Sequence, residues 1–446
     1  MSTPFLKEIM SAFPGTEVWL DTERLSVEES DPLAAWFAVS DLAAASIGTA
    51  GLMVAGLTGE SGAVRVDRLL ASMWFGMTLR PQGWDLPPVW DPIAGDYRTT
   101  DGWIRLHTNA PHHRRAALSV LGKVENRTAL APLVAEWKAD ELEAAVVNAG
   151  GCAATMRSIE AWAHHRQGQA VAAEPLVRWQ QGGESAPTPT PLAGLKVLDL
   201  TRVLAGPVAT RFLAGYGARV LRIDPPFWDE GAVVPEVTLG KNCAGLDLVS
   251  ATDRVVFDAL VKSADVLVHG YRPGALEGLG YDNERLRALN PGLIDVSLNA
   301  YGWTGPWAGR RGFDSLVQMS SGIADYGMAQ SSAEKPVPLP VQALDHATGY
   351  LMAASVLYSL QVRNTTGKVL SARLSLARTA HLLAQSKRTE PGVPPRSEAE
   401  SDLADAVEHT GWGPARRVRF PLSIGKLAAK WRIPAGQLRR SAPQWG

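Results

Sequence analysis

The chain has 446 residues, 44 Lys and Arg against 45 Asp and Glu, nine His and two Cys. That near-neutral balance supplies no cationic face for nucleic acid and no polybasic membrane anchor, and the length allows two or three domains around a large core. Cys152 and Cys243 lack metal-type spacing, and no signal peptide or transmembrane helix is expected, so the expected setting is a reducing cytoplasm with both thiols buried.

Residues 1–84 read as leading helices. Pro32–Leu57 is almost wholly small and apolar, which predicts one buried helix or two. AVRVDRLLASMWF then reads as a short strand turning into a helix. Residues 85–181 form a small α+β unit. It has a strand, an Asp101-Gly102 hairpin turn, the strand WIRLHT, and a helix starting after Pro111. One charged helix is expected over ALAPLVAEWKADELEAAVVNAGG, then a strand and a helix. Residues 182–191, GGESAPTPTP, read as a linker.

From residue 192 to 395 strands and helices alternate. LKVLDL is a continuous apolar run, expected of a strand buried on both faces. VATRFLAGYG follows as a helix with Pro207 in its first turn and Gly217 past its end. ARVLRID, ADVLVHG and the strand before LNAYG repeat the pattern. The fold class expected is α/β: a Rossmann-like parallel sheet domain plus a smaller α+β domain. RPGALEGLG reads as a turn and helix. Residues 396–446 are a Trp- and Pro-rich tail without a clear period.

The stretch PVPLPVQALDHATGYLMAASVLYS (336–359) runs from extended chain into a long apolar helix. Asp345 is expected at or near its N-cap. It reads either as a simple cap or as an ionised nucleophile held outward at the positive helix end. SDLAAASIGTAGLMVAGL, from Ser40, echoes the same helix, with Asp41 in register with Asp345 and a strand following each. That pattern reads as a weak duplication.

The loop TRVLAGP has a single Gly206 and no closely spaced glycines, which argues against NAD. Arg202, at a strand end leading into a helix N-terminus, suits an anionic nucleotide. The adjacent pairs His112-His113 and His164-His165 project apart, make no metal site, and are expected as exposed helix residues. Neither a nucleophile elbow nor a P-loop occurs.

The stretches PLAGLKVLDLTRVLAGPVATRFLAGYGARVLRID, GKNCAGLDL, ADVLVHGYRPGALEGLGYD, LNPGLIDVSLNAYG, GFDSLVQMSSG and VQALDHATGYLMAA resemble the class III CoA-transferases. That family includes formyl-CoA transferase, carnitine CoA-transferase and the branch of α-methylacyl-CoA racemase. The resemblance covers roughly residues 190–385. The unit around GDYRTTDGWIRLHTNAPHHRRAALSVLG is similar to the family's small domain, which normally follows the large one; here it precedes it.

The resemblance implies CoA transfer from an acyl-CoA to a carboxylic acid through aspartyl anhydride and aspartyl-CoA thioester intermediates, with Asp345 as the catalytic residue. It implies CoA contacts at Arg202, Val203, Ala205, Lys241, Tyr271, Arg272, Ala275 and Asn299. Coenzyme A enters as substrate, with no metal and no NAD, and with an interlocked homodimer as the expected assembly. Pro225 stands where some relatives carry a CoA-binding Arg. Asp41 is read as a structural relic. The racemase branch has a His where this chain has Phe313, which argues against racemisation, although His346 beside Asp345 leaves that alternative open. A non-catalytic acyl-CoA-binding protein is the third reading.

Overall fold

The computed structural model describes residues 5–185, 187 and 189–445. Ala186 and Thr188 of the expected linker, and residues 1–4 of the leading segment, lie outside the described residues. Seven strands form the central sheet: β1 (Arg178–Glu184), β2 (Lys196–Leu200), β3 (Arg219–Asp224), β4 (Lys241–Gly245), β5 (Val266–His269), β6 (Ile294–Asn299) and β7 (Lys368–Ser375). Their order is β4-β3-β2-β5-β6-β7-β1. All neighbours are parallel except β1, which closes the edge antiparallel to β7. The expected linker therefore begins inside the sheet, because Gly182–Glu184 pair with β7.

Alternate side chains of these strands enter two separate cores. Val197, Val266, Val268, Ile294 and Val296 pack with the helices Ala205–Gly215 and Ala343–Thr366. Leu198, Leu200, Leu221 and Leu267 pack with Phe257, Leu260 and Leu286 on the other face. Burial on both faces explains why these strands are continuous apolar runs rather than alternating ones. The parallel strands, taken in chain order, lie 3-2-1-4-5-6 across the sheet. The order reverses between β2 and β5, which opens a crevice at their carboxyl ends.

Pro32–Leu57 resolves into one helix, Val39–Thr58. It is long and apolar enough to cross a membrane, yet 89% of that stretch is buried inside this fold. It packs along the Ala343–Thr366 helix, and the two are equivalent in detail. Each carries its aspartate as the third helical residue, and each ends at a left-handed glycine, Gly59 (φ 69°) or Gly367 (φ 74°). A strand follows each, Val64–Asp67 or β7. The last residue of that strand caps the next helix: Asp67 accepts from the Leu70 N–H, and Ser375 from the Arg378 N–H.

The tail has more order than its sequence suggests. Gly413–Arg417 pairs with Leu79–Pro81, and Leu422–Ile424 with Val64–Asp67, both antiparallel. Lead and tail thus share two three-stranded sheets. RPGALEGLG holds only a short 3-10 turn, Glu277–Leu279.

In the small unit the hairpin Gly95–Arg98 and Trp103–Leu106 is extended by Ala153–Thr155. The charged stretch is two helices, Arg127–Val134 and Ala139–Asn148, not one. This unit docks through Cys152 and Ala154 onto Leu316 and Met319 of the helix Asp314–Ser320.

Candidate active site

Asp345 does not cap its helix. The cap position is Gln342, which makes no side-chain capping bond. The orphan N–H groups of the first turn go to another helix instead. Oδ2 of Asp314 accepts from the N–H groups of Leu344 (2.9 Å) and Asp345 (3.0 Å). The Gln318 amide donates to Oδ1 of Asp314, and its oxygen accepts from the Leu339 N–H at 2.7 Å. Asp314 and Gln318 therefore clamp both the Pro-rich approach and the helix start, which is capping done in trans. An apolar cavity of about 230 Å³ lies against the same approach, lined by Trp36, Phe37, Ile323, Val337 and Leu339.

The electrostatics correct the expectation of an ionised, outward-facing group. Asp345 is 6% exposed. Burial pushes its pKa well above the usual carboxylate value, and the Asp314 charge pushes it further. Burial also raises Asp314, to about 6, against the opposing pull of Gln318 and the two N–H groups. Among the described residues no cation forms an ion pair with Asp345. Asp41, at the equivalent position, is clamped by two: Arg68 at 2.7 Å and Arg388 at 3.0 Å. A carboxylate held between guanidiniums is a stable ion and a poor nucleophile; one crowded by a second carboxylate is basic. His346 lies apart from this pair. Its ring stacks on Phe75 (5.2 Å, 21°), and burial with the Arg211 charge lowers its pKa to about 3.

Gly349, one turn beyond Asp345, places the group against the sheet. A Cβ at Gly349 would overlap the carbonyl oxygen of Ala205. Only glycine lets the helix approach so closely, and this sets Asp345 beside the loop that follows β2. That loop contains Val203 at φ 61°, a strained conformation for a β-branched residue. Its N–H donates to Glu230 at 2.6 Å. Arg202 donates to the Thr201 carbonyl, pairs with Asp224 at 3.3 Å, and lies over the Trp228 ring. Asp224 also takes both ends of the Arg222 fork at 3.0 Å.

Tyr271, Arg272 and Ala275 follow β5, across the point where strand order reverses. Arg272 is exposed and the other two are half-buried. Tyr271 and Arg272 line a recess with His269 and Arg373. Two of the sequence-derived contacts are otherwise engaged. Lys241 is fully buried and donates to Asp199 Oδ2 and the Pro207 carbonyl, both at 3.0 Å. Its charge is spent inside the sheet, so it is not free to meet a phosphate. Asn299 folds its amide onto Gly302, donating at 2.7 Å and accepting at 2.8 Å.

The small unit reaches the same place. His107 stacks face to face on Phe313 (3.7 Å, 9°), the residue before Asp314, and His113 meets Phe313 edge-on at 5.7 Å. His113 is 3% exposed, which corrects the expectation of an exposed pair; His112 is exposed. Among the described residues no cluster suited to a metal ion occurs. Asp314, Gln318 and His107 escaped the sequence reading, and His113 entered it only as an exposed helix residue. The available signal was the Asp-to-Gln spacing of four at the start of a helix, which lets one side chain hold the other.

The sequence model of CoA-transferase family III matches residues 192–410. Over that span, just under half of the chain, it is similar to CoA-transferase family III. An acetyl-coenzyme A transferase of Hypoxylon pulicicidum is 37% identical over 201 residues, covering 44% of this chain and 34% of that protein. The acetyl-CoA:oxalate CoA-transferase of Acetobacter aceti is 36% identical over 193 residues, covering 40% and 49%. A succinyl-CoA:glutarate CoA-transferase of Mus musculus is 32% identical over 191 residues, covering 40% and 43%. The chain thus spans half or less of the length of these curated relatives. Among solved structures, a CAIB/BAIF family protein from Brucella suis has a TM-score of 0.40 at 28% identity, covering 50% of this chain and 65% of that one. The family III span includes β2–β7, Asp314 and Asp345, and excludes the small unit and Asp41.

Proposed function

We propose that this protein moves coenzyme A from an acyl-CoA to a carboxylic acid, with Asp345 as the covalent carrier. The observation that carries this reading is the contrast within the repeated helix pair. Asp41 is neutralised by Arg68 and Arg388, whereas Asp345 faces Asp314 and sits at a helix N-terminus beside the strained loop after β2.

Asp345 first loses its proton. Its carboxylate oxygen attacks the thioester carbonyl; the C–S bond breaks, CoA leaves as thiolate, and a mixed anhydride remains. The thiolate then attacks the aspartyl carbonyl and releases the donor's acid, leaving an aspartyl-CoA thioester. The acceptor carboxylate attacks that thioester to form a second anhydride. CoA thiolate attacks the acceptor's carbonyl, and Asp345 is restored as carboxylate. Each adduct is activated and reversible, which suits a carboxylate nucleophile. Raised basicity makes Asp345 the better nucleophile once ionised. Arg202, Tyr271 and Arg272 flank the crevice where an anionic nucleotide is expected.

Labelled CoA should exchange into acyl-CoA with no acceptor present. Asp345→Asn should abolish that exchange; retention of the wild-type rate would refute the carrier role.

A second reading, an acyl-CoA-binding protein without turnover, is favoured by the 6% exposure of Asp345. Tight CoA binding without any exchange would select it. Racemisation is disfavoured by Phe313 and by the stacking of His346 on Phe75.

A further inference from the structure

The two copies of the repeated unit meet reciprocally. Asp41 corresponds to Asp345, and the capping residue Asp67 to Ser375. Counted on from those caps, Phe75, Gly76 and Arg80 correspond to Leu383, Ala384 and Arg388. The start of the lead helix is met by the segment that ends the other unit. Phe37 bridges Lys387, the Ala38 N–H donates to Ser386 Oγ at 3.2 Å, and Asp41 pairs with Arg388. The start of the Asp345 helix is met in turn by the segment that ends the lead unit. Phe75 stacks on His346 and, at 6.2 Å, on Tyr350, and a Cβ on Gly76 would lie 4.0 Å from Val341. A contact of i with j, answered by one of j with i, marks an isologous interface between two copies of one unit. Here one polypeptide supplies both copies.

That interface is filled. Every residue from Leu42 to Ala55 and from Ala343 to Leu360 is buried, so neither helix keeps a face for a second chain. Charge closes the seam as well. Glu236, fully buried, accepts from the N–H and the hydroxyl of Thr78 in the lead unit, at 3.0 and 2.7 Å. It also pairs with Arg211 and, at 3.2 Å, with Arg417 of the tail. Separating lead and tail from the central sheet would strip partners from a buried carboxylate, which is strongly destabilising. The two-fold match fails at one pair. Arg388 lies on Asp41, whereas its counterpart Arg80 is turned to Glu398, at 2.9 and 2.6 Å.

We infer that the lead unit holds the place of a second copy of the Asp345 unit, so that a single chain closes the two-fold interface by itself and works as a monomer. This assembly differs from the interlocked homodimer that the resemblance implies. Phe75, stacked on the neighbour of Asp345, is the residue that a partner copy would otherwise have to bring. Mass and hydrogen exchange read the assembly, and neither requires CoA transfer.

The full chain is first taken through sedimentation equilibrium from about 1 to about 100 μM, because a self-associating protein changes mass with concentration. One species of 47.8 kDa is expected throughout. A species of twice that mass, or a mass that climbs with concentration, would overturn the inference. Native-state hydrogen exchange then tests the internal pairing. Two halves of one interface open together, so the slowest amides of Leu42–Ala55 should match those of Leu344–Leu360 within about tenfold. Lead-helix amides that all exchange far faster would make that unit a separable addition and overturn the inference. A monomer with matched protection and no CoA exchange would sink the transferase reading and leave the internal pairing standing.

Discussion

The N–H of Asp345 donates to the carboxylate of Asp314 at 3.0 Å, while the two side-chain charges repel. One residue thus both builds the start of the Asp345 helix and raises the basicity of the Asp345 carboxylate. Asn at position 314 removes the charge and keeps an amide oxygen for the N–H groups of Leu344 and Asp345, while its NH2 leaves the Gln318 amide without an acceptor.

Asp314→Asn should therefore fold and shift the acid limb of the exchange rate to lower pH, since Asp345 ionises more readily without a charged neighbour. The sign for stability follows from linkage. Asp314 has a folded pKa near 6 against 3.8 unfolded. The folded state holds the proton more tightly, so stability is greatest below pH 3.8 and declines as pH rises to about 6. Removing the charge should raise stability at pH 7 by on the order of 3 kcal/mol, offset by roughly 1–3 kcal/mol for the Gln318 amide left without its acceptor, so the gain at pH 7 relative to pH 4.5 is the quantity predicted. Denaturant titration of both proteins at pH 4.5 and 7 measures the difference. An unchanged rate profile would show that the two carboxylates are not electrostatically linked.

Asp41→Asn tests the contrast between the repeated helices. It leaves Arg68 and Arg388, each under a quarter exposed, without their partner. A loss of stability of roughly 1–3 kcal/mol is expected, with CoA exchange per folded molecule retained. Chemical denaturation and exchange assays together decide it; loss of exchange in a folded protein would make Asp41 more than structural.

Lys241 and Asp199 are both fully buried and joined at 3.0 Å. Lys241→Met should cost about 3–5 kcal/mol, because an unpaired buried carboxylate remains. Lys241→Met with Asp199→Leu should recover part of that loss. A single variant that unfolds normally but loses CoA affinity would return Lys241 to the CoA site.

His107, His113 and His346 all have pKa values lowered to about 3 by burial. The unfolded chain takes up protons below about 6.5 that the folded chain refuses. Stability should therefore fall as pH drops from 6.5 toward 3, by about 1.4 kcal/mol per pH unit for each such histidine. His346→Phe should reduce that slope by one histidine's share in a series of denaturant titrations. An equal slope would place the acid sensitivity elsewhere.

The strands of the central sheet were legible because burial on both faces leaves uninterrupted apolar runs, as at Leu198 and Val266. Glycine at a helix end was equally clear at Gly217. What escaped depends on partners remote in sequence. The partner that holds Lys241 inside the sheet, Asp199, is 42 residues away. The cap of the Asp345 helix is Asp314, 31 residues earlier. His113 reads as polar until Phe313 is brought onto it. The tail strands are three to five residues long and pair with Leu79–Pro81 and Val64–Asp67, so local periodicity carries no trace of them. The split at Ala135–Lys138 is not marked by glycine, and Pro132, the one breaker nearby, lies inside the first helix.

The central claim is that Asp345 carries the acyl group and then CoA. Full-length protein mixed with pooled acyl-CoAs, quenched in acid and digested, should yield a mass adduct on the peptide containing Asp345 and none on that containing Asp41. Saturated CoA binding with both peptides unmodified, or an adduct confined to Asp41, would contradict the account.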